Sequence, residues 1–295
     1  METQRGYRGF VLGGNVSLID YHIHTNLCGH AVGEMADYVK EAIGSELDEI
    51  GFSDHLPLNG DSGKEQNLSM AFDELPDYVN EVINLRKAFP EIRIKLGIEA
   101  DYIPGAESYT RELLTKYHFD YVMGSVHYIG EWAFDHPGER KKWDNKDVDL
   151  VYKEYFEILR KSARTSLFDI IGHCDLVKKF GNRPTGELSR DLDDTAEVFK
   201  ECGVAVEINT SGLRKPVNEI YPSSEILKVY KKYDIPIVFG SDAHTPGDVG
   251  RDFDKAISLA RLAGYEEFVT FENRKMKHQK LDTSTALKPR LFKAG

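Results

Sequence analysis

The chain has 295 residues, of which 41% are hydrophobic and 29% are charged, and its formal net charge is −11. This composition is typical of a folded globular protein and excludes a largely disordered chain. The negative charge and the absence of a dense basic run in the sequence argue against a partner as large as an extended nucleic acid. A small phosphate remains compatible with this charge, because metal ions and one or two arginines can hold it.

The sequence also bears on location. No apolar stretch approaches the roughly 20 residues of a membrane span, and Met1–Gly14 lacks the features of a signal peptide. Cys28, Cys174 and Cys202 are an odd number without paired spacing, which fits a reducing compartment. We therefore expect a cytoplasmic protein with no membrane partner. Thiolate ligation by Cys28 or Cys174 is an alternative to ordinary buried packing.

Strand and helix patterns alternate along the chain. The predicted strands are Val16–Tyr21, Glu49–Ser53, Ile92–Ala100, Tyr121–Tyr128, Phe168–Cys174, Val204–Asn209 and Ile235–Ser241. The predicted helices are Met35–Leu47, a helix capped by Asp73 that ends near Phe89, Ala106–Tyr117, Lys146–Ala163, Ser189–Cys202, Ser223–Tyr233 and Val249–Ala263. Each strand is thus followed by a helix, which is typical of a βαβ series.

This series predicts an α/β fold with a single domain over residues 1–295. No linker interrupts the seven strand–helix units, so one barrel accounts for them. Tyr265–Phe271 is a candidate for an eighth, closing strand. A polar loop is expected at Leu56–Asn67, and the polar tail Arg274–Gly295 is expected to be loosely held at its end.

Imidazole and carboxylate groups follow nearly every predicted strand. The carboxyl ends of parallel strands meet at one mouth of a barrel, so residues far apart in sequence become neighbours there. His22 and His24 share one face because alternate residues of a strand do, and Asp242 and His244 repeat that spacing. The candidate metal ligands are His22, His24, His30, His55, Glu99, His127, His173, Asp242 and His244.

Nine ligands exceed the roughly four that one tetrahedral zinc ion needs, so we expect two or three divalent ions with open positions. Imidazole and carboxylate ligands suit zinc, manganese or iron without distinguishing among them. Glu99 is a candidate to bridge two ions with its two oxygens. Of the other histidines, His118 and His278 are expected to be structural, and His136 is a candidate substrate contact in the loop after His127.

Six segments of the chain resemble the PHP family, named for polymerase and histidinol phosphatase. They are Asp20-Tyr-His22-Ile-His24, Gly51-Phe-Ser-Asp54-His55, Gly97-Ile-Glu99, Gly124-Ser-Val-His127-Tyr128, Gly172-His173-Cys-Asp175 and Gly240-Ser-Asp242-Ala-His244. The resemblance runs from about Leu18 to His244. It implies a distorted (β/α)7 barrel, similar to a TIM barrel, with a trinuclear metal centre at the nine positions named above.

Within that family the chain is most similar to the monofunctional histidinol-phosphate phosphatases. The matching segments are Ser125–Ile129, Asp175–Gly181, Glu207–Pro216 and Tyr221–Ser223. The resemblance implies a metal-dependent phosphomonoesterase that converts L-histidinol phosphate to L-histidinol and phosphate in histidine biosynthesis. A PHP phosphoesterase acting on another small phosphate ester, such as a nucleotide, is the alternative.

Two more distant interpretations fit less well. A barrel amidohydrolase also opens with His-x-His, but a bridging lysine is common there, where this chain has Glu99. A binding module with a purely structural metal would not need nine ligands with open coordination positions.

Two arginines are candidates for phosphate binding. Arg183 and Arg214 follow the fifth and sixth predicted strands, where loops open on the mouth of the barrel. Either guanidinium could donate two hydrogen bonds to a phosphate, and a surface ion pair is the other interpretation. Lys215 and Ser211 are weaker candidates beside Arg214.

Four acidic residues are candidates for roles around the ions. Asp242 is expected to bind metal and also to accept the proton of the attacking water. Asp54, or a metal-bound water, is expected to protonate the departing alkoxide. Asp20 and Asp175 are expected to orient ligand imidazoles by accepting their other N–H.

Overall fold

A computed structural model of the chain describes residues 18–58 and 68–281. Met1–Gly14, the first two residues of the predicted strand Val16–Tyr21, most of the predicted loop Leu56–Asn67 and the tail from residue 282 lie outside the described residues. Among the helices in the described ranges, none has the length and apolar character needed to cross a membrane.

The predicted alternation of strands and helices is confirmed in the described ranges. The strands are β1 Ile19–Ile23, β2 Glu49–Phe52, β3 Arg93–Leu96, β4 Glu99–Asp101, β5 Met123–Ser125, β6 Tyr128–Ile129, β7 Trp132–Ala133, β8 Ile170–Ile171, β9 Ala205–Asn209, β10 Ile237–Gly240, β11 Glu267–Glu272 and β12 Lys275–Lys280. The helices are α1 Met35–Gly44, α2 Leu75–Ala88, α3 Glu107–Leu114, α4 Val148–Arg164, α5 Ser189–Cys202, α6 Ser224–Lys232 and α7 Phe253–Leu262.

Two parallel sheets meet at both of their edges. One has the order β1-β2-β3 and the other the order β10-β9-β8-β5-β4. A parallel bridge between Ile23 and Ala243 joins β1 to the chain just after β10, and a second between His55 and Glu99 joins the exit of β2 to β4. Because only two residues separate β3 from β4, seven parallel strand positions follow one another in a closed order. This is the distorted (β/α)7 arrangement, and it places the carboxyl ends of the strands on one side.

The predicted strand Ile92–Ala100 is divided in two. Its first part, β3, pairs with β2, and its second part, β4, pairs with β5. Between them the amide of Gly97 donates to the carbonyl of Phe52 at 2.8 Å. The chain therefore changes neighbours at Gly97 while it continues around the ring, and this change brings Glu99 to the mouth.

Two predictions of local structure were wrong. The candidate closing strand is not part of the ring, because β11 pairs antiparallel with β12 and forms a hairpin. Part of the polar tail is therefore a strand, whose polarity reflects exposed or half-buried side chains. Asp73 does not cap α2, since Phe72–Glu74 form a short 3-10 turn and the amide of Ala71 donates to the Glu74 carboxylate at 2.8 Å.

The centre of the ring is filled by stacked tyrosines. The rings of Tyr21 and Tyr121 lie 4.5 Å apart and nearly parallel, and the Tyr121 hydroxyl donates to the carbonyl of Tyr21 at 2.6 Å. Both side chains are fully buried. Gly51 and Gly97 leave the space that the Tyr121 ring occupies, because a Cβ at either position would lie 2.1–2.2 Å from that ring or its hydroxyl.

Replacing Gly97 with alanine should therefore destabilise the protein. A Cβ at this position would lie 2.2 Å from Cζ of Tyr121, and overpacking of a core usually costs about 1–3 kcal/mol. Thermal unfolding at a fixed metal concentration measures the effect as a lower Tm. Gly44→Ala is the matched control, since nothing lies within 4 Å of its added Cβ, and it should leave Tm unchanged or raise it. Equal Tm values for both variants would contradict this packing argument.

Candidate metal centre

A cavity of about 620 Å³ opens at the carboxyl ends of the ring strands. Eight of the nine candidate ligands line it, and the ninth, His22, is fully buried and reaches the group from below. The structure therefore brings together all nine residues, which lie between positions 22 and 244 of the sequence.

Glu99 is at the middle of this group. Its Oε2 atom lies 3.2 Å from His22 Nε2, 3.3 Å from His55 Nδ1 and 3.6 Å from His24 Nε2, and its Oε1 atom lies 3.2 Å from His173 Nε2 and 3.8 Å from His127 Nε2. The two carboxylate oxygens thus face two different sets of imidazoles.

Asp242 completes the group on one side. Its Oδ1 atom lies 3.2 Å from His24 Nε2 and 3.4 Å from His244 Nδ1. The His244 ring is stacked at 4.8 Å on the ring of His30, whose centroid is 5.6 Å from that of His55. His30, which comes from the loop after β1, therefore lies beside the candidate ligands that follow the strands.

Several of these buried polar atoms have no hydrogen-bond partner among the described residues. They include both carboxylate oxygens of Glu99, His22 Nε2, His24 Nδ1 and His55 Nδ1. Two ligand atoms that share one ion at about 2.1 Å are about 3.0–3.4 Å apart, which is the separation of Glu99 Oε2 from His22 and His55. Unpaired buried acceptors are costly. This donor set therefore suits divalent cations, and five overlapping groups of three residues can hold one.

The electrostatics of the group favour ionised carboxylates. Burial raises the pKa of Glu99, but the facing His22 and His55 outweigh it and hold that pKa well below the ordinary value. Burial likewise opposes the charge of Asp242, and His22 and His24 lower its pKa well below the usual range. Both side chains therefore carry the negative charge that a cation requires.

The imidazoles divide into two kinds. Burial lowers the pKa of His55 to about 3 and that of His244 to about 2, so both rings are neutral. Burial also opposes protonation of His22 and His127, but nearby carboxylates raise the pKa of His22 well above its ordinary value and that of His127 to about 10. A cation that binds here would displace those protons, because imidazole binds metal only in its neutral form.

Carboxylates orient two of the candidate ligand imidazoles from behind. Glu207 Oε1 lies 2.6 Å from His22 Nδ1, and Asp101 Oδ1 lies 2.6 Å from His127 Nδ1. In both histidines the Nε2 atom is left to face Glu99. Glu207 also accepts a hydrogen bond of 2.8 Å from the amide of His173. A Cβ at Gly240 would lie 1.9 Å from Glu207 Oε1, so glycine there leaves space for this carboxylate.

Asp20 and Asp175 were predicted to have this orienting role, and that prediction was wrong. Asp20 accepts hydrogen bonds from the amides of Ser241 at 2.9 Å and Gly250 at 2.8 Å, and so it holds backbone rather than an imidazole. Asp175 accepts from the amide of Ser223 at 2.8 Å. Glu207 was overlooked, although a glutamate inside the apolar stretch Val204–Asn209 is itself a signal of a buried polar contact.

Glu207→Gln should weaken metal binding about 10- to 100-fold, the usual cost of losing a carboxylate behind a ligand imidazole. The amide would place an N–H group against at least one of the three donors that Glu207 now accepts from, His22, His173 and Asn209, so His22 would lose its fixed orientation. Competition with a coloured chelator measures the metal Kd directly. Glu49→Gln is the matched control, since Glu49 is equally buried but bonds to Tyr21. An unchanged Kd in Glu207→Gln would contradict the orienting role.

Asp54 lies behind His24, away from the cavity wall. It is fully buried, its Oδ2 atom accepts from the amide and hydroxyl of Thr25, and its Oδ1 atom is 3.5 Å from His24 Nδ1. Burial raises the pKa of Asp54, but its partners, His24 foremost, outweigh that effect and lower the pKa. Asp54 therefore does not line the cavity, where a proton donor to a leaving group would have to lie. It is placed to orient His24 instead.

The two candidate arginines occupy different places. Arg214 lines the cavity, donates to the carbonyl of Ser241 at 2.6 Å and lies 3.7 Å from Asp248. Its Nη1 atom is buried without a hydrogen-bond partner among the described residues, so it remains available to a ligand. Arg183 lies outside the cavity wall, is half-exposed and pairs with Glu219.

Other predicted contacts also lie at the cavity wall. Ser211 and Lys215 line it, and the Ser211 hydroxyl donates to Asp242 Oδ2 at 2.9 Å. His136 lines it too, and its ring accepts a hydrogen bond of 3.1 Å from the amide of Gly138. Lys179, which was not among the predicted residues, also lines this wall and forms an ion pair of 2.8 Å with Asp135. The wall therefore contributes cations next to the acidic and imidazole groups.

The weaker candidates are placed as follows. Cys28 is buried and close enough to His24 and His244 to belong to a possible ligand group, while its thiol donates to the carbonyl of Thr25 at 3.1 Å. Cys174 is buried and free. Of the two histidines expected to be structural, His278 pairs with Glu267 at 3.2 Å on the hairpin.

Comparison with known proteins gives two family matches. The family model described as PHP domain matches residues 20–211, and the one described as PHP-associated matches residues 224–253. Among curated proteins, the chain is 38% identical to "Probable histidinol-phosphatase" from Deinococcus radiodurans, over 88% of this chain and 98% of that protein. It is 30% identical to histidinol-phosphatase from Bacillus subtilis, over 80% of this chain and 96% of that protein.

A solved structure is similar over most of the fold. It is the crystal structure of histidinol phosphate phosphatase from Lactococcus lactis, complexed with zinc, L-histidinol and phosphate. The sequence identity is 25% and the TM-score is 0.74, over 88% of this chain and 99% of that chain.

Proposed function

The chain belongs to the PHP family, and from this premise we propose that it hydrolyses L-histidinol phosphate to L-histidinol and inorganic phosphate. The observation that carries the proposal is the convergence of nine imidazole and carboxylate groups, eight of which line one cavity that also holds Arg214 and Lys215. The relatives named histidinol-phosphatase and the zinc, L-histidinol and phosphate bound by the Lactococcus lactis protein support the substrate.

We propose that the centre holds two or three divalent ions, with zinc, manganese and iron as the candidates. The way in which the ligands divide around Glu99 supports more than one ion. His22, His24 and His55 face Oε2, while His127 and His173 face Oε1. Asp242 with His30 and His244 would serve a third ion. Bound ions would supply a hydroxide nucleophile near neutral pH and would offset charge on the phosphoryl oxygens.

The side chains around the centre would then have distinct tasks. Asp242, which accepts a hydrogen bond from Ser211, would accept the proton of the attacking water. Arg214 would donate its unpaired Nη1 to a phosphoryl oxygen, and Lys215 would add a second positive charge beside it. Asp54 would keep His24 oriented, and a water in the cavity would protonate the departing alkoxide. Arg183 would contribute to phosphate binding through its partner Glu219 rather than through direct contact.

Arg214→Met should lower kcat/KM by about 10²-fold, because a buried charge-assisted hydrogen bond to a phosphoryl oxygen contributes about 2–3 kcal/mol. The inhibition constant of inorganic phosphate should rise in parallel, while the metal content should stay the same. Steady-state kinetics and metal analysis measure these quantities. Arg86→Met is the control, since Arg86 pairs with Asp120 far from the cavity. Unchanged phosphate inhibition would contradict the contact.

The substrate is tested by phosphate release from histidinol phosphate, p-nitrophenyl phosphate and AMP at equal concentrations of metal-reconstituted protein. We expect kcat/KM to favour histidinol phosphate by orders of magnitude. Comparable or better turnover of AMP would overturn the substrate and favour the alternative, a PHP phosphoesterase for nucleotides. Absence of any hydrolysis in the metal-replete protein would overturn the enzymatic function itself.

Three broader proposals accompany this function. The chain would be one domain over residues 1–295, a view that the uninterrupted series of strands and helices supports. It would act in the cytoplasm, which the three free cysteines support. Its partner would be a small phosphate ester rather than extended nucleic acid, given the net charge of −11.

A further inference from the structure

Lys178 is a lysine with only 1% of its surface exposed. Its ammonium group makes three short contacts, 2.8 Å to Asp175 Oδ2, 2.9 Å to Glu219 Oε2 and 2.8 Å to the carbonyl of Ile220. All three N–H donors are therefore used. A buried ammonium group is costly even when it is paired, so its presence next to a functional cavity calls for an explanation.

The contacts of Lys178 join two segments that flank the cavity. Asp175 and Lys178 belong to the chain just after β8, where His173 enters the candidate metal centre. Glu219 and Ile220 are the last residues of a loop, residues 210–220, that begins directly after β9. The buried charge of Lys178 thus joins the C-terminal end of this loop to the segment after β8, which carries the candidate ligand His173.

The loop is closed at its base and carries the phosphate-binding candidates. The amide of Asn209 donates to the carbonyl of Tyr221 at 2.6 Å, and the amide of Tyr221 donates back at 2.9 Å. Between these two residues the loop places Ser211, Arg214 and Lys215 in the cavity wall. The position of those three side chains therefore depends on where the end of the loop is fixed, together with the bonds from Ser211 to Asp242 and from Arg214 to the carbonyl of Ser241.

The charges around Lys178 are balanced. Glu219 also pairs with Arg183, and Asp175 accepts from the amide of Ser223 at the start of α6. Two cations and two carboxylates thus form one cluster beneath the loop, outside the described cavity wall. Since the cluster touches loop 210–220 at its end and not at Arg214 itself, it can act on a ligand only through the loop.

We propose that Lys178 is a positioning residue that holds loop 210–220, and with it Arg214 and Lys215, in place to bind the phosphoryl group. The inference rests on the proposed phosphatase function. Lys178 touches neither the ligands nor the cavity, so its removal would loosen phosphate binding without removing metal.

The test is Lys178→Met in the metal-replete protein. KM for the phosphate ester and the inhibition constant of inorganic phosphate should both rise about tenfold or more, because small displacements of binding groups have effects of this size. The value of kcat and the metal content should stay within about twofold, since binding lost equally from ground and transition states appears in KM. Hydrogen exchange of residues 210–221 should become faster. Unchanged phosphate inhibition with unchanged exchange would overturn the proposal.

A second variant covers the case in which Lys178→Met does not fold. Glu219→Gln keeps the shape of a partly exposed partner and removes one charge, so it should shift phosphate inhibition and loop exchange in the same direction by a smaller amount. Arg274→Met is the control, because it breaks an ion pair with Asp169 far from the cavity. It should lower Tm and leave phosphate inhibition unchanged. If it raises the phosphate inhibition constant as much as Lys178→Met does, the role of Lys178 is one of general stability.

Two further outcomes separate this proposal from others. Loss of metal from Lys178→Met in proportion to its activity would overturn the proposal, because Lys178 would then support His173 rather than the loop. Poor turnover of histidinol phosphate by the wild-type protein would overturn the proposed substrate but not this inference. Inhibition by inorganic phosphate and loop exchange are measured with whichever phosphate ester the protein hydrolyses.

Discussion

Glu99→Gln should abolish phosphate release, with kcat/KM lower by at least about a thousandfold, or about 4 kcal/mol of transition-state stabilisation. The variant should also lose most of its bound metal. The reason is the central place of this carboxylate, whose two oxygens face five imidazoles and have no hydrogen-bond partner among the described residues. Glutamine has the same shape but replaces one anionic oxygen with an N–H₂ group, which cannot bind a cation.

The experiment compares metal per chain, activity and Tm for wild type, Glu99→Gln and the control Glu272→Gln. Glu272 is the exposed last residue of β11, where it pairs with Lys277, so its variant should behave as wild type. Circular dichroism separates loss of metal from loss of fold. If Glu99→Gln retained full metal content and activity, Glu99 would not bridge ions and the nine residues would need another explanation.

Asp242→Asn should lower kcat by about a thousandfold or more, because the two functions proposed for Asp242 would be lost together. Asparagine keeps the shape and tolerates the left-handed backbone that this residue adopts, with φ of 54°. It removes the negative charge that lies 3.2 Å from His24 and the acceptor that Ser211 donates to at 2.9 Å. Steady-state kinetics with metal analysis at saturating metal measure the loss in kcat.

Asp252→Asn is the matched control for this substitution. Asp252 also has a left-handed backbone, with φ of 62°, and its carboxylate pairs with Lys255 instead of facing an imidazole. The control should therefore keep wild-type kcat. A near-normal kcat for Asp242→Asn with unchanged metal binding would show that Asp242 takes no part in the reaction. A near-normal kcat with weakened metal binding would show that Asp242 acts only as a metal ligand.

The candidate ligands could be predicted from sequence because each depends on local pattern. His22 and His24 alternate on one strand, Asp242 and His244 repeat that spacing, and parallel strands bring their carboxyl ends to one mouth. No knowledge of neighbouring strands is needed for this step. The sequence pattern therefore predicted which nine residues meet, and the structure adds how they divide around Glu99.

The residues behind the ligands could not be predicted in the same way. Asp20 and Glu207 are both acidic residues within apolar strands, and sequence does not reveal which backbone or ring each one meets. The packing of β10 and its neighbouring strands decides these contacts. Asp20 accepts a hydrogen bond from Ser241, and Glu207 is hydrogen-bonded to His22. The same limit applies to Arg183, whose partner Glu219 lies 36 residues further along the chain.

The two bridges that close the ring lie among the candidate ligands themselves. At one junction the amide of His24 donates to Ala243 and the amide of Ala243 donates to His22, and at the other Glu99 exchanges backbone bonds with Asp54 and Leu56. Ions bound by the candidate ligands His22, His24 and Glu99 would therefore stabilise both junctions of the barrel. Occupancy of the centre would then be coupled to folding by mass action, by about 4 kcal/mol at a metal concentration a thousand times Kd. Metal supply would in that way set how long the protein persists as well as how fast it works.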